Sequence, residues 1–564
     1  MPIMEVRECI EKTVERSLTD LGIQSGPIVL EHPAELTLGD YATGVALKYA
    51  KVAGKNPREF AEAIVAGLDT IEGVAKIDIA GPGFINFTLT PAAIIDRLEA
   101  ARTDERWGSG TLLAGKTIMV EYTQPNPFKQ FHIGHLMSNT IGESITRLFE
   151  FSGATVLRAN YQGDVGPHVA KALYILLERN SSNPSVEEIS SAYVEGSTRY
   201  DADGQSKYAI DMLNKKIYER SDPVVNELYA QGRAITLAHF EDIYAILGTK
   251  FDFYFFESDT APIGLSIVQS HPEVFTQSEG ATVFEAEKYG LHTRVFITGL
   301  GLPTYETKDL GLAKLKSDTA TFDTSITVTA SEQTEYFKVI KKAMEFVIPE
   351  IAPKIEHVTH GMMRFAEGKM SSRKGNVVTG ESLLTDLIAA AKDRAAESRA
   401  IDHARLAQEI AVAAIKYQIL KQAAGKDIVF DPTRALSMEG DSGPYVQYTF
   451  ARTCAIIERA RTANINPSFD MVANSTDLPI AQKVLMRLIP RFPEVVARAA
   501  ADYEPHYLAT YLVEIASAFN SWYGQVQILD QGKDERFKVA LVEAVSRTLK
   551  NGLTILGIPT PERM

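Results

Sequence analysis

The spacing of apolar residues changes character along this chain, and each change marks a different kind of domain. Residues 1–18, MPIMEVRECIEKTVERSL, repeat apolar positions with a helical period. A loop containing LGDYATGVALKYAK follows, then a helix near NPREFAEAIVAGL and alternating strands in AKIDIAGPGFINFTL, with GPG as the turn. Residues 1–107 thus predict a small α+β domain, closed by the turn-rich DERWGSG. The pattern then becomes strand, loop, helix. KTIMVEYT is a buried-strand run, MSNTIGESITRLFEFSG a helix ending at Gly153, ATVLRANY the next strand and QGDVGPHVAKALYILLE its helix. Such alternation predicts a Rossmann-like, doubly wound parallel sheet over 108–385, an α/β fold. VFITG, TFDTSITVTA and IEHVTHGMM read as later strands, and the polar helical stretch 180–250 as an insertion. Over 386–564 the helical period dominates, which predicts an all-α bundle.

The totals narrow the class only a little. A chain of 564 residues implies three or four domains, each able to bury a core. Apolar content of 45% and charged content of 23% are those of ordinary globular proteins. No apolar run is long enough for a bilayer, and the acid-bearing start lacks a signal-peptide core, so the cytoplasm is the expected location. Cys9 and Cys454 alone exclude a disulfide framework or a cysteine-rich zinc site. The net charge of −14 argues against a generic nucleic-acid coat, although a basic groove on an acidic body stays open.

Two stretches invite a phosphate. GTLLAGKT at 110–117 has the letters of a phosphate-binding loop, but a strand follows its lysine where a helix should open, so it predicts only a turn. EYTQPNPFKQFHIGHL at 121–136 has the missing context: a strand ending near Tyr122, a polar loop, and a helix beginning around Gly134. His132 and His135 stand where imidazole N–H groups could donate to phosphate oxygens, and Lys129 adds a full charge. A plain helix cap accounts for the same letters. A metal site does not, because no Cys, Asp or Glu converges there. EGKMSSRKGNVV at 367–378 supplies a second basic loop, with Lys369, Arg373 and Lys374 among small residues.

HIGH at 132–135 together with KMSSR at 369–373 resembles the signature pair of class I aminoacyl-tRNA synthetases, and the best match is the arginyl-tRNA synthetase family. The resemblance covers nearly the whole chain: LGDYATGVALKYAK and AGPGFINFTL in an additional N-terminal domain, NYQGDVG after the second catalytic strand, and GDSGPYVQYTFAR, ATYLVEIASAFNSWY and LKNGLTILGIPTPERM in an anticodon-binding domain.

The resemblance implies a two-step reaction. The carboxylate of arginine attacks ATP to give arginyl-adenylate, and the arginyl group then passes to the terminal ribose of tRNA(Arg). His132, Gly134 and His135 would hold the α-phosphate region, with Met363, Lys369, Met370 and Ser371 completing the nucleotide site. Ser372 stands where the class pattern has a second lysine, and Lys129 occupies the place of a compensating lysine. Tyr305 and Asp309 match the family's arginine-reading Tyr-x-x-x-Asp and share a helix face at i and i+4. Glu257 matches a glutamate facing the guanidinium, and Asn126 and Gln333 match positions holding the α-amino and carboxylate groups. Gln124 and Glu121 are further pocket members, and Asp164 is expected to cap the helix after it. Tyr445, Tyr448, Phe519, Trp522 and Tyr523 are candidates for stacking on anticodon bases, against the plain alternative of core aromatics. The N-terminal domain would touch the outer corner of the tRNA, and the family suggests a monomer whose arginine activation waits for tRNA. Magnesium would accompany ATP, without zinc or an organic cofactor. A smaller nucleotidyltransferase with a His-x-Gly-His fold would lack the helical half. A synthetase of another specificity would not need Tyr305 with Asp309, and a non-catalytic tRNA-binding scaffold would not keep both motifs.

Overall fold

The computed structural model describes residues 3–366, 378–469, 478–532 and 534–564. The first domain holds α1 (Ile3–Asp20), β1 (Tyr41–Thr43), α2 (Val45–Ala53), α3 (Pro57–Ala66), β2 (Val74–Ala80) and β3 (Phe84–Leu89). Its antiparallel sheet runs β1-β3-β2, and Phe87 shares one buried core with Val14, Leu18 and Phe60. The stretch expected as a loop instead supplies β1 and α2. Gly39 explains this: at φ 85° it lies so close to β3 that a Cβ would sit 2.7 Å from the Phe87 carbonyl oxygen, which brings the chain in as an edge strand.

After α4 (Pro91–Thr103), Leu112–Gly115 form a turn into β4 (Thr117–Glu121), with no helix behind the lysine of GTLLAGKT. The central fold continues through α5 (Ile133–Phe151), β5 (Thr155–Gln162), α6 (Pro167–Glu178), β6 (Phe253–Phe256) after the insertion, and α10 (Glu257–Ser270). The insertion is α7 (Val186–Ala202), α8 (Gly204–Glu219) and α9 (Pro223–Leu247). Its core reaches back to Phe128 and α6, so it is anchored to the loop before α5. Past the insertion come α11 (Tyr305–Thr319), β10 (Thr324–Ala330), α12 (Thr334–Val347) and β11 (Ile355–His360). The parallel sheet has the order β11-β10-β4-β5-β6. The winding reverses between β4 and β10, so their carboxyl ends open a crevice, the usual ligand position in such sheets.

VFITG does not join that sheet. It forms β9 (Arg294–Ile297) of a separate antiparallel sheet with β7 (Thr276–Ser278) and β8 (Ala281–Phe284). The two-residue turn through Glu279 (φ 49°) and Gly280 (φ 82°) makes β7 and β8 antiparallel neighbours, and β9 pairs antiparallel with β8.

The remainder is helical: α13 (Gly380–Ala396), α14 (His403–Leu420), α15 (Pro432–Ala435), α16 (Gly443–Thr462), α17 (Ile480–Leu488), α18 (Phe492–Asp502), α19 (His506–Gln525) and α20 (Glu535–Ile555). One short strand interrupts it: β13 (Ile428–Phe430) pairs in parallel with β12 (Met363–Phe365). The first domain docks on this half through buried polar contacts. Arg487 pairs with Asp40 at 2.8 Å, and the Tyr41 hydroxyl donates to Glu494 at 2.6 Å. The far end of α5 is fastened to the end of the chain. Arg147 donates to the Thr554 carbonyl (2.9 Å) and Lys416 to that of Gly557 (2.9 Å), while Lys416 also reaches the Leu247 carbonyl at 2.7 Å.

Two glycines set the closest helix approach near the crevice. A Cβ on Gly264 would lie 1.9 Å from the Thr307 carbonyl oxygen, and one on Gly311 would lie 2.1 Å from that of Thr260. Only glycine lets α10 and α11 touch backbone to backbone. Gly311→Ala must therefore separate the two helices, with an expected destabilisation of about 2 kcal/mol from forced overpacking. Urea unfolding measures it, and an unchanged midpoint would contradict the packing described.

Candidate active site

The loop from β4 to α5 is held in an unfavourable backbone form. Thr123 (φ 77°), Gln124 (φ 53°) and Phe128 (φ 66°) all adopt left-handed conformations without being glycine. Such residues cost of order 1–3 kcal/mol each and persist where their surroundings fix them. Here the fixings are visible. The Thr123 amide donates to Ser138 Oγ (3.0 Å), the Gln124 amide to Asn160 Oδ1 (3.2 Å), and the Phe128 ring is buried against Gly232 of α9. The loop thereby aims Asn126 inward, where its Oδ1 accepts from the Gly163 amide at 3.1 Å.

His132 then caps α5. Its Nδ1 accepts from the His135 amide (3.4 Å), and His135 Nδ1 accepts from the His132 amide (3.2 Å). This reciprocal cap uses both Nδ1 atoms as acceptors, so each neutral ring must carry its proton on Nε2. The rings stack with centroids 3.4 Å apart. Burial and then the charge of Lys129 push His132 down to about 4, and burial drives His135 well below its usual value. The helix thus opens with two neutral imidazole donors at its positive end. Gly134 leaves them room, since a Cβ there would meet His132 Cε1 at 3.0 Å. Lys129 has its Nζ 5.4 Å from the centroid of the Tyr193 ring of α7, and burial lowers its pKa.

The opposite wall gathers acids. Asp309 and Tyr305 project from α11, Glu257 from the start of α10, and Glu121 from the end of β4. Two of these carboxylates already have a cation. Lys308 Nζ lies 2.5 Å from Glu257 Oε2, with the two side chains 4% and 6% exposed, and Lys316 pairs with Glu121. Gln124 Nε2 also donates to Glu121, at 2.6 Å. Glu257 keeps Lys308 charged and raises its pKa despite the burial. Asp309 differs: its partner is the Tyr336 hydroxyl at 2.7 Å. Burial pushes Asp309 up to about 7, with Glu121, Glu257 and Glu306 adding to the rise and the Tyr336 bond opposing it.

Both walls face one cleft of about 740 Å³. Of the residues expected from sequence, Gln124, Asn126, His132, Gly134 and His135 line it on the β4–α5 side. Glu121, Glu257, Tyr305, Asp309 and Gln333 line it on the other. Lys129 is not among the lining residues, and Met363 lies on β12, packed on the core away from the lining. Lys369, Met370 and Ser371 fall outside the described residues.

Three expectations are corrected. Asp164 does not cap α6, whose N-terminus carries no side-chain cap bond. Fully buried, it accepts from the Ser258 amide and hydroxyl (both 2.8 Å), Tyr229 (3.0 Å) and Arg233 (2.9 Å), tying α9 to the start of α10. Phe519 and Trp522 are 0% exposed, facing the bundle core, and present no stacking surface. The exposed aromatics are Tyr448 and Tyr523, with Arg452 over both rings at 4.8 and 5.1 Å, and Asn520 joins Arg452 to the Tyr445 hydroxyl. Sequence reasoning missed Lys308, Lys316 and Tyr336. The adjacency of Lys308 to Asp309 was the single available signal.

The fold recurs in known proteins. The family model "tRNA synthetases class I (R), catalytic domain" matches residues 100–432, more than half of the chain. The chain belongs to the arginyl-tRNA synthetases. Within that family the DALR anticodon-binding domain matches 446–564, and the arginyl-tRNA synthetase N-terminal domain matches 4–89. The arginine–tRNA ligase of Shewanella loihica is 31% identical, with 95% of each chain covered, and that of Clostridium beijerinckii 30%, with 99% of each covered. The solved arginyl-tRNA synthetase of Thermus thermophilus superposes with a TM-score of 0.82 at 25% identity, covering 99% of this chain and 100% of the other. Class I catalytic architecture thus accounts for the cleft, and the DALR match for the helical half. No helix among the described residues is long and apolar enough to cross a membrane.

The raised pKa of Asp309 has a stability signature. A carboxyl whose folded pKa exceeds its unfolded value of 3.8 stabilises the fold below pH 4, and this contribution is lost as pH rises to about 7. Asp309→Asn should therefore gain in urea midpoint relative to the parent protein between pH 4 and 7. A constant difference across that range would contradict the assignment.

Proposed function

We propose that the protein is an arginine–tRNA ligase working through this cleft. It activates L-arginine with ATP to arginyl-adenylate and transfers the arginyl group to the terminal ribose of tRNA(Arg), releasing pyrophosphate and then AMP. The observation carrying this reading is that a donor pair at a helix N-terminus and an acid-and-tyrosine slot open on the same crevice at the sheet's switch point.

No protein nucleophile is needed. The arginine carboxylate attacks the α-phosphate, and negative charge builds on the phosphate oxygens as pyrophosphate leaves. The Nε2–H groups of His132 and His135, with the N-terminus of α5, stabilise that charge in a site fixed beforehand. Lys129 adds a positive charge, and Lys369 is assigned to the pyrophosphate side, with Met370 and Ser371 assigned to the nucleotide; Met363, packed on the core, is left out of the site. Magnesium accompanies ATP in this reading. In the second step a ribose hydroxyl attacks the acyl carbon and AMP departs.

Arginine is recognised along the opposite wall. A planar guanidinium pairs best with a carboxylate in a two-bond fork, which Asp309 supplies beside the Tyr305 ring. Glu257 belongs to the same end of the slot. Asn126, Gln333 and Gln124 hold the α-amino and carboxylate groups near the phosphate side. On the helical domain Tyr445 and Tyr448 meet the tRNA, joined by Arg452 and Tyr523, while Trp522 supports them from within. The protein acts in the cytoplasm as a monomer.

Charging total tRNA with each labelled amino acid tests the reading: arginine alone should be attached, and attachment of another amino acid would overturn it. A second expectation concerns Lys129→Ala. It should slow adenylation about 100-fold, the scale of one lost charge-stabilising group, with little change in arginine affinity. An unchanged pre-steady-state rate would remove Lys129 from the reaction.

A further inference from the structure

A second cleft, of about 710 Å³, opens among α4, α16, α20 and the last residues of the chain. It shares no lining residue with the catalytic crevice. We propose that it binds a multiply phosphorylated small molecule, held by Arg461, Arg547 and Lys550.

The charges in this cleft do not balance. Five basic side chains and three acidic ones line it, in a chain whose net charge is −14. Two of the cations are already engaged: Arg102 of α4 pairs with Glu543 at 3.2 Å, and Arg563 with Glu458 at 3.1 Å. Among the described residues Arg461, Arg547 and Lys550 have no carboxylate at ion-pair distance, and only Glu562 remains in the lining to offset them. Arg547 and Lys550 stand three positions apart on α20 and so share a face, while Arg461 comes from α16. Like charges placed in this way repel one another, and an anion between them removes that cost.

The chemistry and the size both suit a phosphorylated ligand. Guanidinium forks match phosphate oxygens two at a time, and Lys550 adds a point charge. The volume falls within the range of small-molecule sites, about 300–1,000 Å³. Phe450, Ile457 and the half-buried Cys454 supply an apolar floor for an organic body.

The phosphates are not those of an RNA stacked on the exposed tyrosines. Tyr445, Tyr448 and Arg452 are followed nine positions later by Cys454, Ile457 and Arg461. Nine residues are about two and a half helical turns, so the two sets face opposite sides of α16. The occupant is therefore a free ligand, and it would join α4 to α16 and α20.

Cys454 reports occupancy, because it lines the cleft, whereas Cys9 lies in α1. The full-length protein is alkylated with iodoacetamide, a neutral reagent, and the rate at each cysteine is read by peptide mass spectrometry. Millimolar inorganic tripolyphosphate should slow alkylation of Cys454 about fivefold or more relative to sodium chloride of equal ionic strength, with Cys9 unchanged. Arg547→Gln/Lys550→Gln should abolish the protection. Should that variant not fold, Arg461→Gln, at an exposed position, should weaken it. Equal rates in tripolyphosphate and sodium chloride overturn the proposal, as does protection that survives these substitutions. Protection by unfractionated tRNA without protection by tripolyphosphate also overturns it, because the cleft would then belong to the RNA surface.

Discussion

Carboxylates crowded on one cleft floor repel one another, and water is too scarce there to relieve them. Glu121, Glu257 and Asp309 come from three different elements and face the same space. The chain resolves the conflict unequally. Lys316 and Lys308 neutralise two of the acids, and the third is left to share a proton near pH 7. Both lysines and Asp309 ride on α11, so that helix has to lie against α10 and the end of β4. Gly264 and Gly311 make that approach possible. The charge arrangement of the slot thus depends on backbone contacts that carry no charge.

The histidine side of the cleft is organised differently. Two imidazoles cap each other's helix amides and so fix their own tautomers, leaving Nε2–H as the outward donor on each. The loop that presents them stores backbone strain at Thr123, Gln124 and Phe128, and the insertion steadies it by burying Phe128. Asp164 links that same insertion to the first residues of α10, where Glu257 stands. The helices of 186–247 consequently brace both halves of the cleft while lining neither.

Which features were legible in the sequence follows from how local they are. His132 and His135 were readable because a strand, a loop and a helix start occur within sixteen residues, 121–136. Tyr305 and Asp309 were readable from a single helical turn. The Lys308–Glu257 pair was not, because its partners are 51 residues apart and either alone looks like a surface charge. Helical spacing placed Trp522 and Tyr523 side by side but could not say which faces water, since that depends on where α16 and α20 pack. The edge strand at Tyr41 and the antiparallel ribbon around Gly280 were hidden by glycines whose positive φ is set by close approach or a tight turn.

The stitching of α5 to the end of the chain has a consequence for biosynthesis. Arg147 and Lys416 reach backbone carbonyls at Thr554 and Gly557, more than four hundred and about one hundred and forty positions downstream. Until that stretch leaves the ribosome, Arg147 and the buried amine of Lys416 lack these two acceptors, and α5 is without this tether at its far end. The helix that presents the imidazoles is therefore tied at both ends only once residues 554–557 have been synthesised and packed against it.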